Sequence, residues 1–216
     1  EALLALYEKR HDKSIIIRSP KSTEMLIKAK RLGQNPSCKE MIIIGESGTG
    51  KEALAHFIHY QRLNTLGKAL KEPLTKNCKA IDDEFFEKEM FGAVKGAYTG
   101  SIVDRKGIFG CDLKGTVFLD EFHRLSKTNQ EKMLRFVEDR EVLRMGDDNP
   151  ENQNCFEGMI VFATNQKPVP MIDGGALDDD FYYRINNFDK IEVPPLRERR
   201  EEIVYSFLDF LKLYFP

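Results

Sequence analysis

The sequence predicts an α/β fold in which a parallel β-sheet is flanked by helices, and two stretches carry this prediction. The first, residues 41–52, places three consecutive isoleucines before a glycine-rich segment and a helical pattern. The second, residues 116–122, is an apolar run that contains two adjacent carboxylates at its end. Short apolar runs rich in β-branched residues are typical of strands that are buried on both faces, as in parallel sheets.

Composition and charge indicate a globular protein and exclude several classes. The chain has 216 residues, of which 41% are hydrophobic and 31% charged, and a formal net charge of −2. This charge argues against a broadly basic nucleic-acid surface, although a local basic patch stays open. No apolar run approaches the ~18 residues that cross a membrane, so we expect a cytoplasmic protein. Because the chain begins without Met and stops just after a helical pattern, we also expect a piece of a longer protein.

The cysteines are scattered and lack the C-x-x-C spacing of a zinc site or a redox motif. We therefore expect reduced, small core residues rather than a disulfide framework. The four are Cys38, Cys78, Cys111 and Cys155.

Hydrophobic periodicity predicts the remaining elements in chain order. Helices are expected over residues 25–33, after the glycine-rich segment, over residues 82–91 and 126–138, and from residue 201 onward. Strands are expected over residues 73–78, 116–120 and 156–165, and from residue 191. Residues 1–10 have the composition of a linker helix, and residues 172–176 are expected to form a turn.

Residues 45–52 have the spacing of a phosphate-binding P-loop. Glycines let consecutive backbone N–H groups turn toward an anion, and the following helix directs its positive end at the same point. Lys51 adds a mobile charge for the β- and γ-phosphates. An ordinary glycine-rich turn is the alternative, and the order of strand, glycines, lysine and helix disfavours it. The generic motif has Ser or Thr after the lysine to hold magnesium; Glu52 stands there, which leaves Thr49 and the acidic pair as candidates.

The acidic pair follows a predicted strand about 70 residues after the P-loop. An apolar run ending in Asp-Glu is often only a strand end, but this distance from a P-loop indicates the Walker B element of an ATPase. Asp120 can then hold magnesium, directly or through water, and Glu121 can orient the attacking water. Thr164 or Asn165 would lie beside the γ-phosphate if their strand neighbours the P-loop strand.

Residues 91–101 form an unusual segment in which three glycines surround Tyr98 and Thr99. A loop of this composition could simply be flexible. An aromatic ring held at an exposed tip is unfavourable unless it meets a partner, so partner contact is the functional alternative.

Together these motifs resemble the central ATPase domain of bacterial enhancer-binding proteins, the sigma-54-dependent transcriptional activators within the AAA+ ATPases. The resemblance covers roughly residues 19–211. It rests on GESGTGKE (45–52), Asn77 and Cys78, GAYTGS (96–101), GTVFLDEF (115–122), Ala163, Thr164 and Asn165, FYYR (181–184) and PPLRER (194–199). It implies a P-loop NTPase core, a parallel sheet flanked by helices, followed by the start of a small helical lid.

The resemblance also assigns the site residues. It implies a catalytic set of Lys51, Asn77, Asp120, Glu121, Asn165 and Arg184, in which Asn77 contacts Glu121 as a nucleotide-dependent switch. It implies ATP binding by Gly45, Glu46, Ser47, Gly48, Thr49, Gly50, Lys51 and Glu52, and Mg²⁺ binding by Asp120. The residues that would touch sigma-54 are Gly96, Ala97, Tyr98, Thr99, Gly100 and Ser101.

A homo-oligomer is implied in the same way, as a hexameric ring with ATP bound between subunits. Arg184 of one subunit would reach the γ-phosphate held by the next, and the ATP state would raise or lower the GAYTGS loop to pull on sigma-54 RNA polymerase. Residues 1–18 would be a linker, 19–196 the ATPase core and 197–216 the first helix of a truncated lid. DNA would be bound only through a domain outside this chain, and no membrane is involved.

The sequence departs from the family pattern at several positions. Tyr98 replaces a Phe and Ser101 replaces an Ala. The first of two family arginines corresponds to Asp178, which reverses a charge near a phosphate. Residues 147–154 are longer and more acidic than the usual second loop. Two alternatives therefore stay open, an ATPase that acts on another partner and a nucleotide-gated assembly module in which Asp178 has disabled hydrolysis.

Overall fold

The computed structural model describes residues 17–69, 71–166, 175 and 177–214. Its helices are α1 Pro20–Gln34, α2 Lys51–Thr65, α3 Phe86–Met90, α4 Ile108–Cys111, α5 Lys127–Asp139, α6 Asp179–Asn186 and α7 Ile203–Tyr214. Its strands are β1 Glu40–Ile44, β2 Leu74–Asn77, β3 Gly92–Ala93, β4 Arg105–Lys106, β5 Thr116–Asp120, β6 Glu141–Val142, β7 Asn154–Cys155, β8 Met159–Thr164 and β9 Asp189–Glu192. Among the described residues, no helix is both long and apolar enough to cross a membrane.

Five strands form one parallel sheet in the order β2-β5-β8-β1-β9. Strand β5 pairs in parallel with β2 on one side and with β8 on the other. All six residues of β8 and the last four of β1 are buried, as expected for apolar strands covered on both faces. The α/β fold with a parallel sheet, predicted from the sequence, is confirmed.

The described residues fall into two compact units. The first comprises residues 17–38, 42–72 and 189–214, and the second comprises residues 39–41 and 73–188, with the gaps given above. The P-loop therefore belongs to the first unit, and the acidic pair and the GAYTGS loop belong to the second.

Helices α1 and α2 pack against each other in the first unit. Helix α1 begins at the N-cap residue Ser19, whose hydroxyl accepts the Ser22 N–H at 3.1 Å, and Pro20 fills the first position, where no N–H is needed. At the helix crossing, a Cβ on Gly33 would lie 2.6 Å from the carbonyl oxygen of Ile58. Only glycine permits this close approach of the two backbones.

Packed phenylalanines form part of the core of the second unit. The rings of Phe109 and Phe136 have centroids 4.0 Å apart, and Phe91 and Phe156 pack on both of them at 5.3–5.9 Å. Aromatic pairs of this kind contribute about 0.5–1.5 kcal/mol beyond their buried area. Because Phe91 directly precedes β3, the cluster also anchors the segment that carries residues 96–101.

Most of the predicted elements are confirmed, with boundaries shifted by a few residues. Residues 82–91, however, do not form one helix. A 3-10 turn at Asp83–Phe85 precedes α3, because the Phe85 N–H bonds to the Asp82 carbonyl oxygen at 2.9 Å in the tighter i to i+3 pattern. The predicted helix at residues 1–10 and most of the turn at 172–176 lie outside the described residues.

Two of the four cysteines lie outside the core. Cys38 and Cys78 are buried as predicted, and burial raises the pKa of each thiol to about 12. Cys111 and Cys155 are exposed, so the expectation of core residues is wrong for these two. They lie at the end of the four-residue helix α4 and in the two-residue strand β7, short elements that leave their side chains uncovered.

A buried histidine on α2 makes the stability of the first unit depend on pH. His59 is 1% exposed, and its Nε2 lies 2.9 Å from the Lys71 carbonyl oxygen. Burial lowers the pKa of His59 from 6.5 to about 4, so the folded state resists a proton that the unfolded chain binds. The free energy of unfolding therefore falls as the pH drops from about 6.5 toward about 4.

We expect acidification from pH 7 to pH 5 to lower the free energy of unfolding by about 2 kcal/mol through His59 alone. The variant His59→Gln, whose amide can keep the hydrogen bond to Lys71, should lose this part of the pH dependence. Urea unfolding of both proteins at the two pH values measures the difference. An identical pH dependence in the two proteins would show that His59 is not its source.

Candidate nucleotide-binding site

The P-loop joins β1 to α2 and presents backbone donors at the start of the helix. Gly48 and Gly50 have φ angles of 76° and 96°, a backbone region that L side chains rarely adopt. Gly50 is the N-cap residue of α2 and supplies no side-chain cap. The first N–H groups of α2 and the positive end of its dipole therefore suit an anion.

The Lys51 ammonium group folds back against the P-loop backbone. Its Nζ atom lies 2.8 Å from the Gly45 carbonyl oxygen and 3.0 Å from that of Glu46. The Thr49 hydroxyl donates to the same Glu46 carbonyl at 2.8 Å. Glu52 is exposed on the first turn of α2.

Two arginines that follow β9 hold the P-loop, a feature that the sequence analysis did not predict. Both guanidinium Nη atoms of Arg197 donate to the Glu46 carboxylate, at 2.8 and 2.5 Å, and these hydrogen bonds lower the pKa of Glu46. The Nη2 atom of Arg199 donates to the Thr49 carbonyl oxygen at 3.1 Å. Both arginines belong to the PPLRER segment (194–199) on which the family resemblance rests, and they contact the P-loop of their own chain.

The acidic pair lies at the end of β5. Asp120 is the last residue of the strand, and its Oδ1 accepts the Glu121 N–H at 3.0 Å. Glu121 has φ 51° and ψ 40°, a left-handed conformation that costs a non-glycine residue about 1–2 kcal/mol. Backbone strain of this kind persists only where the surrounding structure maintains it, and it is frequent at functional sites.

Two asparagines lie beside the acidic pair. The parallel register pairs Asn77 with Asp120, and Asn165 Nδ2 lies 3.4 Å from Glu121 Oε1. The contact between Asn77 and Glu121 that the resemblance implies is not formed in this conformation. Instead, Asn77 Oδ1 accepts the Lys79 N–H at 2.9 Å and caps the following turn, and Asn165 takes the place beside Glu121.

Asp178, which stands where the family has an arginine, is the N-cap residue of α6. Its Oδ1 accepts the N–H groups of Asp180 at 3.1 Å and Phe181 at 3.3 Å. Carboxylates are preferred at this position because they satisfy free helix donors and complement the helix dipole. The departure from the family pattern therefore has a local structural role in this chain.

Arg184 lies in the last turn of α6 and is half-buried. Its guanidinium carbon lies 5.7 Å from the ring centroid of Phe188, and its Nε atom is buried without a hydrogen-bond partner among the described residues. Burial and the nearby charge of Arg184 lower the pKa of Arg140 to about 10. Two guanidinium groups therefore lie near each other in the second unit.

The residues present suit magnesium better than a structural metal. Among the described residues, no group of three or more His, Cys, Asp and Glu side chains could hold a metal ion. Magnesium does not require such a cage, since one or two carboxylates plus substrate phosphates and water usually bind it. The Asp120 carboxylate, at the carboxyl end of β5, is the donor that fits this pattern.

The GAYTGS loop is closed by hydrogen bonds between its two ends. The Gly96 N–H donates to the Ser101 carbonyl oxygen at 2.8 Å, and the Ser101 N–H donates to the Tyr98 carbonyl oxygen at 2.9 Å. The Ser101 hydroxyl adds a third bond, to the Val94 carbonyl oxygen at 2.8 Å. The serine that replaces a family alanine therefore braces the base of the loop.

The apolar side chain exposed near the GAYTGS loop is not Tyr98, the residue expected from the sequence. Tyr98 is half-buried rather than exposed, because its ring packs near the Lys88 ammonium at 5.2 Å from the centroid. Ile102 and Val103 are instead 78% and 58% exposed. Sequence reasoning missed them, although two adjacent β-branched residues beside the polar Asp104 were a visible signal.

Internal hydrogen bonds link residues of the acidic segment 147–154. Asp147 is only 8% exposed and accepts hydrogen bonds from Asn152 Nδ2 and Arg144 Nη2, each at 2.9 Å. These bonds lower the pKa of Asp147. The insertion is therefore organised around one internally bonded carboxylate.

The fold and these motifs define a P-loop ATPase domain of the AAA+ class, and comparison with known proteins gives its family. The family model described as the sigma-54 interaction domain matches residues 15–191. The chain belongs to this family.

Individual relatives agree with this assignment. The chain is 40% identical over 164 residues to nitrogen fixation protein AnfA of Azotobacter vinelandii, covering 76% of this chain and 29% of that protein. It is 40% identical over 179 residues to a Nif-specific regulatory protein of Herbaspirillum seropedicae, covering 83% and 32%. The crystal structure of NtrX from Brucella abortus in complex with ADP superposes with a TM-score of 0.78 at 25% identity, covering 96% of this chain and 44% of NtrX. The chain thus spans about a third of these two curated relatives.

We expect Asp178→Ala to lower the free energy of unfolding by about 1 kcal/mol, because the first turn of α6 loses its cap. Asp178→Asn should stay close to the parent protein, since the amide oxygen can accept the same N–H groups. Urea unfolding measures both, and Asp180→Ala, an exposed neighbour in the same turn, serves as the matched control. Equal losses for the alanine and asparagine variants would refute a capping role.

Proposed function

We propose that the chain is an ATP-hydrolysing domain that remodels the sigma-54 RNA polymerase complex to activate transcription. The observation that carries this proposal is the P-loop, where glycine backbone, helix terminus and Lys51 suit a phosphate chain, in a member of the sigma-54 interaction domain family. The NtrX structures in complex with ADP and with ATP support a nucleotide as the ligand.

The roles of the individual residues follow from their chemistry. Residues 45–52 would cradle the phosphates, with Lys51 leaving its carbonyl partners to contact the β- and γ-phosphates. Asp120 would hold Mg²⁺, which when bound neutralises charge that develops on the phosphates. Glu121 would orient and polarise the attacking water, and Asn165, 3.4 Å from Glu121, would orient that carboxylate. Asn77, paired in register with Asp120, would respond to the nucleotide state.

The proposed active site is shared between subunits of a hexameric ring. Arg184 would leave its half-buried position and reach the γ-phosphate held by the neighbouring subunit. An arginine supplied in this way can raise the rate of phosphoryl transfer by ~10³–10⁵, so hydrolysis would depend on assembly. The family has a first arginine where this chain has Asp178, which caps α6. Arg184 alone would therefore contact the γ-phosphate of the neighbouring subunit.

We expect Glu121→Gln to lower the ATP turnover number by about 10²–10⁴-fold, since the general base is removed while the shape is kept. The affinity for ATP should stay within a factor of ~3. Lys51→Ala should abolish ATP binding and turnover together. Steady-state phosphate release combined with equilibrium nucleotide titration separates the two effects. A Glu121→Gln protein with unchanged turnover would exclude Glu121 from catalysis.

The GAYTGS loop, residues 96–101, is the proposed contact with sigma-54. Its ends are bonded together, so the loop can move as one body when the nucleotide state changes. Thr99 is exposed at its tip and is available to a partner. In this proposal residues 1–18 are a linker, residues 19–196 the ATPase core and residues 197–216 the first lid helix, and DNA is bound by a domain outside this chain.

We expect Thr99→Ala to leave ATP turnover within about twofold of the parent and to abolish the complex with sigma-54. The parent should comigrate with sigma-54 on a native gel when ADP and aluminium fluoride, which mimic the transition state, are present. Thr128→Ala, an exposed threonine on α5, is the matched control and should still form the complex. A Thr99→Ala protein that binds sigma-54 normally would remove the loop from the proposed interface.

A further inference from the structure

A fully buried glutamate lies just after the P-loop-binding arginines. Glu202, in the 3-10 turn Arg200–Glu202, is 0% exposed. Glutamate is rarely buried without a partner, because an isolated charge in the protein interior is strongly unfavourable. The neighbouring Glu201 is exposed, so burial is a property of this one side chain and requires a reason.

The Glu202 carboxylate bonds to two separate parts of the chain. Its Oε1 accepts the backbone N–H groups of Arg18 at 2.9 Å and Ser19 at 3.0 Å, where the chain enters α1. Its Oε2 accepts a hydrogen bond from Arg199 Nη1 at 3.0 Å. Burial raises the pKa of Glu202, but the Arg18 and Ser19 N–H donors, a hydrogen bond from the Ser22 side chain and the Arg199 charge outweigh burial and hold the pKa below its ordinary value. The carboxylate therefore stays ionised.

The other end of the same guanidinium reaches the P-loop. Arg199 Nη2 donates to the Thr49 carbonyl oxygen at 3.1 Å, and the Arg199 side chain is only 15% exposed. Because the peptide bond is planar and trans, fixing the Thr49 carbonyl also fixes the direction of the Gly50 N–H, which belongs to the same peptide unit. Gly50 is the N-cap residue of α2, so this N–H is one of the donors at the phosphate position.

We propose that Arg199 and Glu202 are positioning residues of the nucleotide site and that they couple nucleotide binding to the chain segment at Arg18 and Ser19. Glu202 fixes Arg199, Arg199 fixes the Thr49–Gly50 peptide, and the same carboxylate holds the entry to α1. This inference rests on the proposed function, because it requires the P-loop to bind a nucleotide. Linkage makes the coupling reciprocal, so a nucleotide must also tighten the entry segment.

The variant Glu202→Gln tests this link selectively. Its amide oxygen can still accept the Arg18 and Ser19 N–H groups. Its NH₂ group then faces the Arg199 guanidinium, and because both groups are donors, the hydrogen bond to Arg199 is lost. We expect the dissociation constant for ADP, measured by titration of the full chain with a fluorescent ADP analogue, to rise about 5–20-fold. The exposed neighbour provides the matched control, and Glu201→Gln should change the constant less than twofold.

Amide hydrogen exchange at Arg18 and Ser19 provides a second measurement. If Glu202 only stabilised the fold, ADP would not change the exchange rates there. In the parent protein, ADP should slow exchange at Arg18 and Ser19 at least threefold. In Glu202→Gln this ADP-dependent slowing should disappear, although exchange without ADP stays similar. If Glu202→Gln does not fold, Arg199→Lys, with Arg200→Lys as its control, replaces it, because lysine cannot span both partners.

The outcomes separate this inference from the proposed function. In the first case the parent protein binds ADP, and Glu202→Gln or Arg199→Lys keeps both the affinity for ADP and the ADP-dependent slowing of exchange. This result overturns the coupling but leaves the proposed nucleotide site intact. A variant that melts at a lower temperature but keeps both readouts also overturns it. If the parent protein does not bind ADP, Lys51→Ala changes nothing, and both the coupling and the proposed function are overturned.

Discussion

The parallel pairing of β5 with its neighbours β2 and β8 is the constraint on which the acidic part of the proposed site depends. Because β2, β5 and β8 run in the same direction, their carboxyl ends meet at one edge, where apolar sequence gives way to polar side chains. Asn77, Asp120, Glu121 and Asn165 all lie at those ends. Strands β5 and β8 are buried on both faces, so a shift of register that drew the polar end of either strand inward would bury a polar side chain without a partner. The core therefore fixes the positions of these groups.

Departures from the family pattern have local physical explanations in this chain. Asp178 reverses a family charge, yet it accepts two N–H groups at the start of α6. Ser101 replaces an alanine, and its hydroxyl braces the loop that it ends. Both substitutions add a hydrogen bond to the element that carries a proposed functional group. They therefore change how firmly Arg184 and the GAYTGS tip are presented, rather than removing either one.

The parts of the structure that were predictable are those encoded by local pattern. The P-loop segment, the strand before the acidic pair and most helices follow from hydrophobic periodicity and motif spacing within about 15 positions. The Walker B assignment of that strand also used its distance of about 70 residues from the P-loop. The Asp178 cap was also visible in principle, since Asp before a helical pattern is a start signal. Exposure of Cys111 and half-burial of Tyr98 were not, because they depend on which other elements pack over each side chain, and hydrophobic periodicity does not specify this.

The contacts that fix the P-loop show most clearly why the rest of the structure could not be predicted from the sequence. Glycines give the loop the backbone freedom to surround a phosphate, and the same freedom leaves its donors without a fixed direction. Here the restraint comes from Arg197 and Arg199, 151 and 150 residues beyond their partners, and no spacing rule encodes such pairs. The segment proposed as the start of the lid is thus hydrogen-bonded to the P-loop. The proposed boundary at residue 196 therefore separates two elements that are bonded to each other, because the first residues of the proposed lid hold the P-loop of the proposed core.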